Sequence, residues 1–414
     1  MSNVVPLRLL RPRAQFARVV ASPPYDVVNR EEAARLAAGN PLSFLHVEKS
    51  EIDLAPSAAD EAAEDRVYLR ARENLDRFIS DGTLIQDAGP CYYIYRQRMG
   101  DHSQSGIVAG ISAAEYESGR IKKHELTRAD KELERTRHVE IAGAQTGPVF
   151  VTYRAQEAID AIVARITAGK PEYDFTTDDG IAHAVWVVGS DADIAGLRDA
   201  FLKVGMLYIA DGHHRAAAAA AVSRMWREQG IVDGANEACH WILAVLFPHD
   251  QLRILDYNRV VCDLFGLTAA AFLEKVGKKF RIDPDYAQRK PARLHEFGMY
   301  LDGRWFRLTL KRKTPYRDPV RNLDATILQE DLLRPVLGIQ DPRTDRRIDF
   351  VGGIRGMAEL ERLVDSGAFR VAFALYPTTL EEMMRVADAG RVMPPKSTWF
   401  EPKLRSGLFV HRLR

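Results

Sequence analysis

Cysteine is scarce in this chain. The three that occur, Cys91, Cys239 and Cys262, are far apart and show no CxxC spacing. An odd, scattered set supplies neither a disulfide framework nor a thiolate zinc cage, and reads as reduced thiols of a cytoplasmic protein. Long apolar runs are missing as well: no stretch reaches the ~18 to 20 apolar residues of a membrane span. The opening MSNVVPLRLLRPRAQFARVV lacks the apolar core and small-residue cleavage pattern of a secretory signal. Neither sign of charge prevails, with 58 Lys and Arg against 57 Asp and Glu. A nucleic-acid coat would carry a basic excess, so neither nucleic acid nor membrane is an expected partner. No G-x-x-x-x-G-K-[ST] run occurs, which excludes an ordinary P-loop.

What is present suffices for a large core. The length of 414 residues, 46% of them apolar, fits roughly two to three domains. Residues 58–81 carry Val67, Leu69, Leu75, Phe78 and Ile79 among charges, which predicts an amphipathic helix stopping at Gly82. CYYIYRQRM, GIVAGISAAEY, GPVFVTYR, HAVWVVG, LYIAD, HWILAVLFP and LRILDYNRVV read as strands. AQEAIDAIVARITAG and DADIAGLRDAFLK read as helices. GMYLDGRWFRLTL is a hairpin about Asp302-Gly303, and FRVAFALYP leads into a helix closing at Gly390. Loose alternation with several adjacent strands predicts a mixed α/β (α+β) fold, mixed sheets with flanking helices. Turn-rich stretches near 86–90, 169–180 and 284–291 are candidate boundaries. They divide the chain into an N-terminal segment with a long helix (1–88), an α/β core (89–285) and a C-terminal α+β region (286–414).

The stretch LYIADGHHRAAAAAAVSRMW, 207–226, holds the densest chemistry. Leu207 to Ala210 form a continuous apolar run, as a strand covered on both faces would. Asp211-Gly212 breaks it, and the alanines that follow have the strongest helix preference available. His213, His214 and Arg215 then occupy the first helical turn, where backbone N–H groups and the positive dipole end point outward. Cations are disfavoured there unless an anion neutralises them, so a phosphate or carboxylate is the expected ligand. Asp211 is suited to hold a metal ion or accept a proton. The plainer reading stays open: Asp211 caps the helix and the histidines pack as neutral rings. A metal shared by the two adjacent histidines is disfavoured, because neighbouring helical residues point ~100° apart.

A second polar stretch, RIKKHELTRADKELERTRH at 120–138, has Thr127 followed by Asp130, a capping-box-like start. Lys123, His124 and Glu125 then lie in the loop before the helix. Arg128, Lys131, Arg135 and His138 fall on one helical face. That face is either solvated, with Glu132 and Glu134 relieving the repulsion, or a basic wall towards a phosphorylated ligand. Glu125, a carboxylate set among cations, is the preferred general base.

Other stretches invite plainer readings. SPPYDVV at 22–28 is a rigid turn. MPPKSTWFEPKLRSGL at 393–408 is too polar for a core element, and Lys396, Ser397 and Thr398 suit either a phosphate lid or a C-terminal wrap. Asp341, Arg343, Asp345 and Arg346 are expected to pair among themselves. The basic patch from Arg289 to Arg321 falls on the hairpin region, where charge marks a solvated or blunted sheet edge.

SPPYDVV, IKKHELTRADKELER, IADGHHRAAAA, RTDRRIDFVGG and MPPKSTWFEPKLRSGL together resemble the domain-of-unknown-function family 1015 (DUF1015), from residue 22 to 408. No activity transfers with that resemblance. More distantly, the chain is similar to the fold shared by the ParB nucleotide-binding domain, sulfiredoxin and the free-serine kinases, where a strand enters a G-x-x-R helix start that cradles nucleotide phosphates. Gly212, His213, His214 and Arg215 match that element, which implies a ParB/sulfiredoxin-like core around DGHHR. Sulfiredoxin's catalytic cysteine has no counterpart at this motif. The kinases' catalytic glutamate has no residue-by-residue match, so Glu125 rests on the local argument.

The resulting expectation is a nucleotide-dependent phosphotransferase, a kinase of a small hydroxyl compound such as serine, using ADP or ATP with Mg²⁺. Gly212, His213, His214 and Arg215 hold phosphates; Glu125 orients or deprotonates the acceptor, with His124 and Asp211 completing the catalytic set. Lys123, Arg128, Lys131 and Lys396 offset charge in the transferring group. Two alternatives stay open: a phosphatase of a metabolite such as phosphoserine, and a non-catalytic ParB-like nucleotide-binding regulator. Association into a homo-oligomer is open too.

Overall fold

The computed structural model describes residues 2–55, 61–232, 234, 237–312 and 316–413, with the backbone alone at 61–64. The chain forms two compact units, one of 1–252 with 402–414 and one of 253–401. This partition departs from the three segments expected from turn-rich stretches. The N-terminal segment is tied into the first unit by strand pairing of Leu10–Pro12 with Leu84–Gln86. The last residues return to that unit, where His411–Arg412 pair with Ala144–Gln145.

Among the described residues the first unit holds a nine-stranded mixed sheet. Its order is Ile121–Lys122, Leu207–Asp211, Val149–Tyr153, Trp241–Pro248, His102–Ser112, Tyr92–Met99, Ala182–Val188, Tyr173–Thr176, with Val4–Val5 beside His102–Ser112. The central strands are nearly all buried, which is why they read as unbroken apolar runs rather than alternating ones. Val151, Ile209 and Leu246 share one core with Ala216, Ala219 and Ala220 of the helix His213–Glu228. Each large aliphatic side chain so buried contributes about 1.5–3 kcal/mol. The helix Ala129–Ala142 packs on both His213–Glu228 and Glu61–Ser80.

Two pairings position the site. Ile121–Lys122 runs parallel to Leu207–Tyr208, so both strands leave the sheet at the same edge, and the loop after Lys122 emerges beside the turn after Asp211. The register of Leu207–Asp211 against Val149–Tyr153 also slips between Ile209 and Asp211. Such an irregularity re-aims the side chains that follow it.

The second unit is built on six antiparallel strands among its described residues, in the order Phe280–Pro284, Arg304–Leu310, Glu296–Leu301, Val371–Leu375, Tyr257–Val261, Ile348–Gly352. The Asp302-Gly303 hairpin is there, with φ of 50° and 73°. So is the helix after FRVAFALYP, Leu380–Asp388, opened by a Thr379–Glu382 capping box. The fold is therefore mixed α/β with mixed sheets and flanking helices. No helix among the described residues is long and apolar enough to cross a membrane.

Several local expectations change. The helix expected over 58–81 runs Glu61–Ser80, and 58–60 lie outside the described residues. The strand expected to reach Tyr116 ends at Ser112, whose hydroxyl accepts the Glu115 N–H and starts the helix Ala113–Glu117. LRILDYNRVV splits into Arg253–Leu255 and Tyr257–Val261, in different sheets, at the buried Asp256. Thr127 does not cap a helix: Arg128 holds that position, and the Thr127 hydroxyl donates to Glu132 instead.

Candidate functional site

Gly212 sits at φ 84°, ψ 32°, a left-handed conformation that a β-carbon disfavours, and turns the strand into the helix without a side-chain cap. Asp211 is not the cap that one reading of the motif foresaw. One of its carboxylate oxygens accepts the Gly212 N–H at 2.8 Å and the other faces the Lys403 ammonium at 2.7 Å. Burial opposes the charge on Asp211, but Lys403 and the Gly212 amide hold it below the ordinary carboxylate range.

His213 is buried, its side chain 4% exposed, with Nδ1 3.9 Å from a carboxylate oxygen of Glu125. Its Nε2 makes no hydrogen bond among the described residues. The His124 ring lies edge-on to it, centroids 4.6 Å apart. His124 is buried too and bonds the backbone of Ile209. Burial keeps both rings neutral, His124 lowered to about 4 and His213 well below its usual value, where His124, His214 and Lys123 add to the effect and Asp211 opposes it. Glu125 itself is 49% exposed on its side chain. The cluster is thus open to solvent from the Glu125 side.

His214 and Arg215 diverge from it. His214 Nε2 accepts the Arg128 N–H at 3.1 Å, which ties the two long helices together. Arg215 turns inward: it donates to the Pro148 carbonyl at 3.3 Å and to Ser406 Oγ at 3.4 Å. Its guanidinium carbon lies 5.3 Å from the centre of the Tyr25 ring, and that of Arg135 lies 4.0 Å from the same ring. Arg135, Gln145, Thr146, Gly147 and Arg215 line one cavity.

Arg135 donates to the buried Glu48 carboxylate at 3.2 Å, and Thr146 donates to its other oxygen at 2.8 Å. Burial opposes the charge on Glu48, yet Arg135 and Arg215 bring its carboxyl down to about 2. His138 Nδ1 faces Arg135 at 3.2 Å and Nε2 faces the Val47 carbonyl at 3.0 Å.

The basic face expected of Arg128, Lys131, Arg135 and His138 is therefore split. Arg135 and His138 point into the protein, while Arg128 and Lys131 pair at the surface with Asp130 (2.7 Å) and Glu134 (2.6 Å). A helix packed between two others has only part of its circumference in water, and spacing alone does not say which part. Lys123 lies over the Tyr116 ring at 4.4 Å. Lys396 belongs to the second unit, exposed, with its ammonium 5.8 Å from the Tyr257 ring centre. Of the residues singled out, the fold gathers His124, Glu125 and His213 around one point, with Asp211 charge-coupled to both rings.

The model of the family described as protein of unknown function (DUF1015) matches residues 4–326. The chain belongs to this family. No curated protein matches this DUF1015 chain. Among solved structures, a free serine kinase in complex with AMP is 12% identical, covering 72% of this chain and 91% of that one, at a TM-score of 0.35. A conserved hypothetical protein from Pyrococcus furiosus is 14% identical, with 72% and 93% covered and a TM-score of 0.33. SbnI with a C-terminal truncation, from Staphylococcus aureus, is 11% identical, with 72% and 85% covered and a TM-score of 0.31.

Sequence reasoning on this DUF1015 chain missed four partners of the site. Tyr25, read as part of a rigid turn, is the ring that both Arg135 and Arg215 lie over. Lys403 sat in a segment weighed only as a wrap or lid, and its pairing with Asp211 needed the chain's return. Gly147 leaves the space that the Arg215 guanidinium fills: a β-carbon there would stand 2.3 Å from Nη1. Glu48, in FLHVEKSE, carried no signal at all.

Proposed function

We propose that this chain is a nucleotide-dependent phosphotransferase that moves a phosphoryl group from ADP or ATP to a small hydroxyl compound, free serine being the first acceptor to test. The observation that carries the reading is the meeting of a solvent-reachable carboxylate, Glu125, with the uncapped helix start after Gly212. The amides of His213, His214 and Arg215 precede the first intrahelical bond, from Ala216 to Gly212, and suit an anionic oxygen there. This strand–Gly–helix start is also the reason to read the core as ParB/sulfiredoxin-like.

In this reading Glu125 accepts the proton of the acceptor hydroxyl, the freed oxygen attacks the terminal phosphorus, and the shortened nucleotide leaves with the bridging oxygen. His124 and His213 flank Glu125 from the buried side, His213 Nδ1 standing 3.9 Å from its carboxylate. Asp211 anchors the turn through Lys403 rather than reacting, since both its oxygens are engaged. Lys123, Arg128 and Lys131 add positive potential towards the phosphates, Arg128 and Lys131 by exchanging their surface carboxylates for the nucleotide. Arg215 adds charge from behind the turn. The Mg²⁺ expected with ADP or ATP meets two imidazoles and one open carboxylate, a donor set that does not suit this hard, oxygen-seeking ion. No step is assigned to it.

The test is calorimetric titration of the purified protein with ADP and with ATP, followed by product analysis against a panel of hydroxy amino acids. Binding of one nucleotide and formation of a phosphorylated amino acid are expected. Absence of binding by either nucleotide overturns the reading. Release of phosphate from phosphoserine without nucleotide identifies a phosphatase instead, and salt-dependent DNA binding without turnover a ParB-like regulator.

A further inference from the structure

We propose that His124, Glu125 and His213 form a binding site for a divalent transition-metal ion of the zinc or manganese class. Each residue offers one donor atom, and among the described residues these three lie within 4.8 Å of one another. Two imidazoles and a carboxylate are the donor set that borderline transition metals prefer, leaving positions open for water or a substrate oxygen. The magnesium mismatch noted above is the other face of the same chemistry.

Four features of the cluster fit an ion. Both imidazoles are buried, and each offers a ring nitrogen to the point that Glu125 also reaches. His124 bonds the Ile209 backbone, the kind of outer contact that fixes the tautomer and orientation of a metal-bound histidine. His213 presents Nδ1 to the Glu125 carboxylate at 3.9 Å, too far for a hydrogen bond, which leaves an ion room between the two donors. Glu125 is exposed and opens an entry path.

The geometry needs a modest closure. Donors on a tetrahedral ion at about 2.0–2.1 Å bond length stand about 3.3 Å apart. The Glu125–His213 separation is 3.9 Å, and Glu125, on a surface loop, supplies the movement. The two histidines come from different elements, the loop after Lys122 and the helix start after Gly212, whose strands run parallel to a common edge. Adjacent histidines 213 and 214 do not share the ion; His214 is spent on the Arg128 amide. Glu125 can bind through one oxygen and keep the other facing an acceptor, so the site is compatible with the role proposed above and does not depend on it.

The experiment uses the full chain, stripped with a chelator and dialysed, titrated with Zn²⁺, Mn²⁺ and Mg²⁺ in the absence of nucleotide. One equivalent of Zn²⁺ or Mn²⁺ bound per chain is expected, with no comparable heat from Mg²⁺. The exposed variant E125Q is expected to fold like the parent and to bind Zn²⁺ at least ~10-fold more weakly. H213Q is expected to lose the site, with circular dichroism checking its fold; a misfolded H213Q leaves the decision to E125Q. Co²⁺ titration adds a visible-absorption signature of nitrogen and oxygen ligation, distinct from thiolate binding at the exposed Cys262. Failure of the parent to bind Zn²⁺ or Mn²⁺, or affinity unchanged in E125Q, overturns the proposal. Because nucleotide is left out, this result and the phosphotransfer reading fail independently.

Discussion

Arg135 donates to Glu48 at 3.2 Å, with both side chains out of water. A buried ion pair adds little over a well-packed apolar pair, but removing one partner strands the other charge. Here Glu48 also answers Arg215 and accepts from Thr146. E48Q is expected to lose about 3–5 kcal/mol of unfolding free energy. Urea denaturation measures it, and a loss below ~1 kcal/mol would show that the fold tolerates Arg135 without its carboxylate.

The same cluster sets the response to acid. Glu48 has its carboxyl lowered to about 2, against an unfolded value of about 4.3, so its contribution is complete above ~4.3 and disappears as pH falls towards about 2. Burial lowers His138 and His411 to about 4 and His183 to about 3. The unfolded chain protonates these histidines near about 6.5, so below that pH it binds protons the folded chain refuses. Both effects have one sign: stability falls with falling pH, first between about 6.5 and 4 through the histidines, then through Glu48. Thermal melts from pH 8 to 3 should show a monotonic decline beginning near pH 6.5; a flat profile down to pH 4 contradicts it.

At Gly147 the expected lesion is displacement. A β-carbon would meet Arg215 Nη1 at 2.3 Å and Ser406 Oγ at 3.0 Å. G147A should push the guanidinium off its place over Tyr25, at a cost of about 1–3 kcal/mol, and weaken ADP or ATP binding by calorimetry. Unchanged stability and affinity would mean that Arg215 has room to spare.

Gly212 isolates backbone strain from crowding. The nearest atom to an added β-carbon is Val149 Cα at 3.6 Å, an ordinary contact, so the penalty for G212A is conformational. Holding alanine at φ 84° should cost about 1–2 kcal/mol. A stability equal to that of the parent would indicate that the turn relaxes.

Glu125 is solvent-facing, and its neutral isostere should leave the fold alone. E125Q is expected to change unfolding free energy by no more than about 0.5 kcal/mol while lowering the phosphotransfer rate ~10²–10⁴-fold. A variant as active as the parent removes Glu125 from the proton-accepting role.

Legibility in the sequence followed the range of the signal. The strand–Gly–helix turn at 207–226, the Asp302-Gly303 hairpin and the helix ending at Gly390 are written in neighbouring residues, and each was readable. Spacing placed Arg128, Lys131, Arg135 and His138 on one helical face, but gave no hint that α-helical neighbours would bury half of it. His124 and Glu125 were singled out, as was His213, but their convergence was not.

Local spacing determined by itself that most of these stretches form strands or helices, because backbone geometry and capping act over a few residues; the boundaries at Ser112, Asp256 and Arg128 it did not place. It also determined that polar chemistry gathers in two stretches, 120–138 and 207–226. Only the tertiary structure decided which side chains meet. Arg135 and Arg215 both lie over the Tyr25 ring, Lys403 reaches Asp211, and His124 and Glu125 stand against His213. Those meetings follow from the parallel pairing of Ile121–Lys122 with the strand before Gly212 and from the return of residues 402–414. Contacts across such separations are fixed by the path of the whole chain, which a window of a few residues does not contain.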